Sequence, residues 1–126
     1  MSAIKILKPT ESELEILQVL WDRGEATVRE VHEDLAQIKD CGYTTTLKLM
    51  QIMFEKGLVI RDDSSRTHIY QPNVSKKKTQ QQLVDKMVDS LFAGSRSELV
   101  MQALGNHTPS IEELNEIQKL LDRFKK

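Results

Sequence analysis

Between Tyr43 and Tyr70 an amphipathic segment meets a glycine and runs directly into two short β-type stretches. Thr46, Leu49, Met50 and Met53 recur at helical spacing, which predicts a helix over about Thr44–Lys56 with one apolar side. Gly57 is its stop. Leu58–Asp62 and Thr67–Gln71 follow as strands, with Asp63-Ser64-Ser65-Arg66 between them as the turn and Pro72-Asn73 as the end. A helix handed straight to a two-stranded ribbon is the order that a winged helix-turn-helix requires. The helix enters a DNA groove and the ribbon lies along the phosphates. The expected activity is therefore binding, and the chain is not expected to be an enzyme.

The flanking sequence supplies the remaining elements. Thr10-Glu11-Ser12-Glu13 and Thr27-Val28-Arg29-Glu30 are capping boxes. The first opens a helix with Leu14, Leu17, Leu20 and Trp21 on its apolar stripe, ending near Asp22 with Gly24 as its stop. The second opens a helix whose face is Val28, Val31, Leu35 and Ile38, ending near Lys39. Beyond Ser75 the strand signal disappears. Helices are expected over about Lys78–Phe92, from a Ser95-Arg96-Ser97-Glu98 box to Leu104, and from a Thr108 cap with Pro109 at the first position to Phe124. The fold class is thus mainly α with a small β-hairpin wing. A winged helix-turn-helix domain occupies residues 1–73, and a three-helix C-terminal dimerisation region occupies residues 74–126.

Charge distribution qualifies this reading. The net charge is −1, and residues 1–74 hold nine bases against twelve acids. Nine of those acids fall in residues 11–40, whereas residues 41–54 hold none and one base, Lys48. A face built from the later segments can still be positive. On the predicted third helix Thr44, Lys48, Gln51 and Glu55 point away from the apolar side, with Thr45 and Leu47 on its flanks and Tyr43 at its start. Glutamine can pair with adenine, and threonine can reach phosphates or a thymine methyl. Ser65 and Arg66 at the hairpin tip, with Arg61 across from it, are expected to hold the flanking phosphates. The DNA-binding set is Tyr43, Thr44, Thr45, Lys48, Gln51, Arg61, Ser65 and Arg66. The competing reading is a solvated helix face on a winged-helix protein-interaction module without DNA binding, which the net charge of −3 over residues 1–74 and the apolar Ile52 support.

The pattern Thr44-Thr45-x-x-x-x-x-Gln51-x-Met53-x-Glu55-Lys56-Gly57-Leu58-Val59, with Leu14-x-Ile16-Leu17-x-Val19-Leu20-Trp21 upstream, resembles the BlaI/MecI/CopY family of bacterial repressors. The resemblance implies a winged-helix homodimer that blocks transcription from a palindromic double-stranded DNA operator. It also implies that Thr44, Thr45 and Lys48 lie on the contacting helix and Arg66 in the wing. Ile52 stands where many members carry arginine. In the β-lactam branch a membrane sensor metalloprotease releases the repressor by cutting an Asn-Phe bond. The aligned bond here, the candidate proteolytic release site, is Gln102-Ala103 and does not match. The C-terminal cysteine cluster of the copper-sensing branch is missing from this chain.

Residues 74–126 are too few for a substantial core of their own, yet rich in apolar positions. Leu83, Met87 and Leu91 form one stripe of the fourth helix. Leu99 adds to it from the fifth, and Leu114, Ile117, Leu121 and Phe124 line the sixth. A second copy is the expected partner for this surface. The single cysteine, Cys41, excludes an intrachain disulfide and a cysteine-based metal site. His32, His68 and His107 show no metal-ligand spacing, so no metal or cofactor is expected. With no apolar run of membrane length and no signal-peptide pattern, the expected location is cytoplasmic.

Overall fold

Thr10 and Thr27 start the first two helices as their sequences predict. Each threonine hydroxyl accepts from the backbone N–H of the glutamate three residues on, and each glutamate carboxylate accepts in return from the threonine N–H. The computed structural model describes residues 8–105 and 108–125. Its elements run α1 (Glu11–Arg23), α2 (Val28–Ala36), α3 (Tyr43–Lys56), β1 (Val59–Asp62), β2 (Ile69–Pro72), α4 (Lys76–Leu91), α5 (Arg96–Gly105) and α6 (Ile111–Phe124). The mainly helical fold with an antiparallel hairpin wing is as expected. The chain divides into two compact units, Met1–Leu83 and Val84–Lys126.

The core of the first unit is built where α1, α2, α3 and the hairpin converge. Ile16, Leu17 and Leu20 of α1, Val31 of α2, and Met50 and Met53 of α3 are all fully buried. Leu58, Val59 and Tyr70 close it from the hairpin side. Trp21 packs at its edge and donates its indole N–H to the Val74 carbonyl at 3.0 Å.

The hairpin pairs Val59 with Pro72, Ile60 with Gln71, Arg61 with Tyr70 and Asp62 with Ile69. Ala26 adds a one-residue third strand. Its N–H donates to the Tyr70 carbonyl at 3.0 Å, and the Tyr70 N–H returns the bond at 2.8 Å. Asn73 fastens the base by donating its amide side chain to the Gly57 carbonyl and its backbone N–H to the Leu58 carbonyl. The wing is therefore stitched both to the α1–α2 loop and to the end of α3.

Two sequence expectations are corrected. Helix α2 stops at Ala36 rather than near Lys39, because the N–H groups of Gln37 and Ile38 turn back to carbonyls three residues earlier, tightening the last turn. Ile38 consequently leaves the apolar face and is 75% exposed. Helix α6 is capped by Ser110 rather than Thr108, with the Ser110 hydroxyl accepting from the Glu113 N–H at 3.1 Å. His107 lies outside the described residues.

Candidate nucleic-acid interface

Helix α3 carries three lanes that follow from its 3.6-residue period. Thr46, Met50 and Met53 form the buried lane. Tyr43, Leu47 and Gln51, spaced four apart, face a cleft between α3, the start of α2 and the hairpin. Thr44, Thr45, Lys48 and Glu55 remain exposed. The helix starts without a side-chain cap, at Gly42, and its first turn has no acid, so its N-terminal N–H groups favour an anion. At the other end Gly57 takes φ +84°, the left-handed conformation that lets the chain turn from α3 into β1.

The cleft encloses about 520 Å3. Thr27 and Arg29 line it from the start of α2, Tyr43 and Gln51 from α3, and Arg66 and His68 from the hairpin. The structure thus brings Tyr43, Gln51 and Arg66, all expected at the DNA surface, to one concavity. It adds Arg29, whose guanidinium carbon lies 5.6 Å from the centroid of the Tyr43 ring. Arg29 was not singled out from the sequence because it sits in the acid-rich stretch of residues 11–40. The available signal was its position just inside the Thr27 cap, where a helix start faces the hairpin.

Ion pairing occupies part of the acidic charge of α1 and α2. Arg23 donates to both carboxylate oxygens of Asp34, at 2.8 and 2.9 Å, and lies 3.7 Å from Glu30. That contact holds the Asp34 carboxyl below the usual carboxylate range. Lys39 pairs with Glu15 at 2.7 Å and Lys56 with Glu13 at 2.8 Å. Arg29, Lys48 and Arg66 form no salt bridge among the described residues. Four of the seven acids of α1 and α2, Glu13, Glu15, Glu30 and Asp34, are thus paired with Arg23, Lys39 or Lys56, whereas Lys48 on α3 and Arg29 and Arg66 beside it are left without an acidic partner among the described residues.

Ser65 and Arg61, also expected at the DNA surface, make contacts within the chain. The Ser65 hydroxyl donates to the Thr67 carbonyl at 3.0 Å, inside a tip also shaped by the Ser64 N–H bonding Asp62. Arg61 lies against Phe54, with its guanidinium carbon 4.0 Å from the ring centroid, and does not line the cleft. Cys41 is partly exposed, and its sulfur lies 4.0 Å from His32 Nδ1.

In the second unit Val88 is the buried apolar residue among those described. Met87, Leu91, Leu114, Leu121 and Phe124 are exposed, and Leu99 and Ile117 are partly covered, as is Leu83 at the end of the first unit. Gln102 and Ala103 are exposed on α5. No helix among the described residues is long and apolar enough to cross a membrane.

A helix-turn-helix with a hairpin wing, its third helix flanked by unmatched cations, defines a winged-helix protein of the nucleic-acid-binding kind. The penicillinase repressor family model matches residues 9–123, and the chain belongs to that family. It is 23% identical over 121 residues to the penicillinase repressor of Bacillus licheniformis, covering 96% of this chain and 94% of that one. It is 36% identical over 69 residues to the transcriptional regulator BlaI of Mycobacterium tuberculosis, covering 54% of this chain and 50% of that one. Among solved structures it is similar to the monomeric form of B. licheniformis BlaI in complex with the blaP half-operator. The TM-score is 0.51 at 23% identity, covering 58% of this chain and 89% of that one.

Proposed function

We propose that the chain is a transcriptional repressor that reads a double-stranded operator as a homodimer. The observation that carries the reading is the surface of α3. Thr44, Thr45 and Lys48 are exposed and acid-free at its start, beside a cleft that Arg29 and Arg66 line from two other elements. In this reading Thr44, Thr45, Lys48 and Gln51 meet base edges and nearby phosphates, and Arg29, Tyr43 and Arg66 hold the backbone on the wing side. Family membership supports it, as does the fold shared with a protein solved on a half-operator. The reading head spans residues 1–73 and the dimerisation region residues 74–126. The surplus of exposed apolar residues on α4 and α6, Leu91 at 70% and Phe124 at 79%, supports a second copy as their cover.

Substitution by alanine at Lys48, Arg66 or Arg29 tests the reading face. Each is expected to weaken binding to a duplex selected by the wild-type protein, and each should flatten the dependence of log K on log salt by about 0.9. Unchanged affinity and slope in all three would sink the assignment. Release by a membrane sensor protease is open to the same direct approach. The exposed Gln102-Ala103 bond on α5 is the candidate site, and mapping the ends of any fragment formed in the source cells decides it.

A further inference from the structure

We infer that Arg61 is a positioning residue that clasps the paired strands of the wing to the reading helix and is not one of the phosphate contacts; the inference rests on the DNA-binding reading above. Its guanidinium carbon lies over the Phe54 ring, 4.0 Å from the centroid, within the range of a cation–π contact. Phe54 belongs to the last turn of α3 and Arg61 to β1, so the contact joins the end of the helix to the strand that leads to the hairpin tip. The Arg61 side chain is only 21% exposed, whereas a phosphate-binding arginine presents its donors to solvent. Its Nε is buried without a hydrogen-bond partner, and its ion pair with Asp63, at 3.9 Å, is at the limit of such a contact. A desolvated donor costs free energy, and the contact with Phe54 is the one that offsets it. In the hairpin register Arg61 pairs with buried Tyr70, and although Tyr70 lines the cleft that Arg29 and Arg66 share, Arg61 does not. Arg61 stands in the paired part of the ribbon, one pair before its end, and Arg66 in the loop beyond. A small tilt of the paired strands therefore becomes a larger displacement of Arg66 from the phosphates.

The probe is a duplex selected by the wild-type protein from a random-sequence pool, titrated at several salt concentrations. Phe54→Leu keeps every charge. It is expected to weaken binding roughly two- to thirtyfold, the span of a cation–π contact between exposed and desolvated limits, with an unchanged salt slope. Arg61→Gln should lose a similar factor, again with an unchanged slope, and the double variant should lose no more than either single one. Arg61→Lys keeps the charge without the planar head and should follow Arg61→Gln. Phe54→Tyr keeps the aromatic face and should bind as wild type does. Melting curves establish that each variant is folded, and Arg61→Lys carries the test alone if Phe54→Leu is not. A slope flattened by about 0.9 in Arg61→Gln, with Phe54→Leu binding normally, would make Arg61 a phosphate contact and overturn the clasp. Wild-type affinity in both Phe54→Leu and Arg61→Lys overturns it as well. Failure of the wild type to select any duplex overturns the DNA-binding reading itself, and the clasp with it.

Discussion

Glu13 and Lys56 form one ion pair but stand in unequal surroundings. The Glu13 side chain is 3% exposed and that of Lys56 is 36% exposed. Burial pushes the Glu13 carboxyl up, but the bonds from Lys56 and from the Thr10 N–H outweigh it and hold the group below the usual carboxylate range. Removing one partner therefore leaves different debris. After Glu13→Gln the ammonium can turn to water, and the cost should be about 1 kcal/mol. After Lys56→Met a buried carboxylate loses its partner, and the cost should be about 3 kcal/mol. Urea unfolding midpoints at pH 7 would rank the two, and the reverse order would contradict this account. Because the folded-state value of Glu13 lies below its unfolded value, its contribution is present above the usual carboxylate range and is lost as pH falls through the folded value. The wild-type midpoint should drop with that acidification, and Glu13→Gln should flatten the drop. At this scale the sequence revealed half of the arrangement. The capping box of Thr10 and Glu13 is local and legible, but Lys56 arrives from 43 residues away. The contacts of Arg29 with Tyr43 and of Arg61 with Phe54 are likewise non-local and leave no mark in the spacing of the sequence.

Helix α3 succeeds as an element because each of its lanes has a different neighbour. Its start needs no side-chain cap where an anion is to dock, and its end needs a residue that tolerates φ +84°. No atom lies within 4 Å of where a Cβ at Gly57 would sit. Gly57→Ala should therefore cost only the backbone strain of the left-handed region, about 1 kcal/mol, with no packing penalty. A larger loss in thermal unfolding would mean that the turn into β1 is built differently. Helix α6 offers a parallel check on its corrected start. Ser110→Ala should reduce helicity and stability by about 1 kcal/mol, and Thr108→Ala should leave both nearly unchanged. The starts of α1 and α2 were the most legible features, since a cap and its glutamate are a four-residue signal. The end of α2 was less so, because Ile38 continues the apolar spacing after the hydrogen bonding has already tightened. Ala26 gave no signal at all, since a single paired residue has no periodicity to detect.

For the molecule as a whole, the apolar residues left exposed on α4 and α6 set the expected behaviour in solution. Leu91→Asp and Leu121→Asp place a charge on residues that are already 70% and 46% exposed in one chain. Each variant should keep its helicity yet sediment as a monomer. Coupling two heads multiplies affinity steeply, so the monomer should bind the selected duplex on the order of a hundredfold more weakly. A variant that stays dimeric would move the interface elsewhere. Trp21 makes these events separable. It is the single tryptophan of the chain, and its indole is tied to the Val74 carbonyl where the hairpin gives way to α4. Its emission is therefore an internal gauge of the reading head. Unfolding of the head should shift the fluorescence to the red, whereas dilution of a dimer into folded monomers should leave the spectrum where it was.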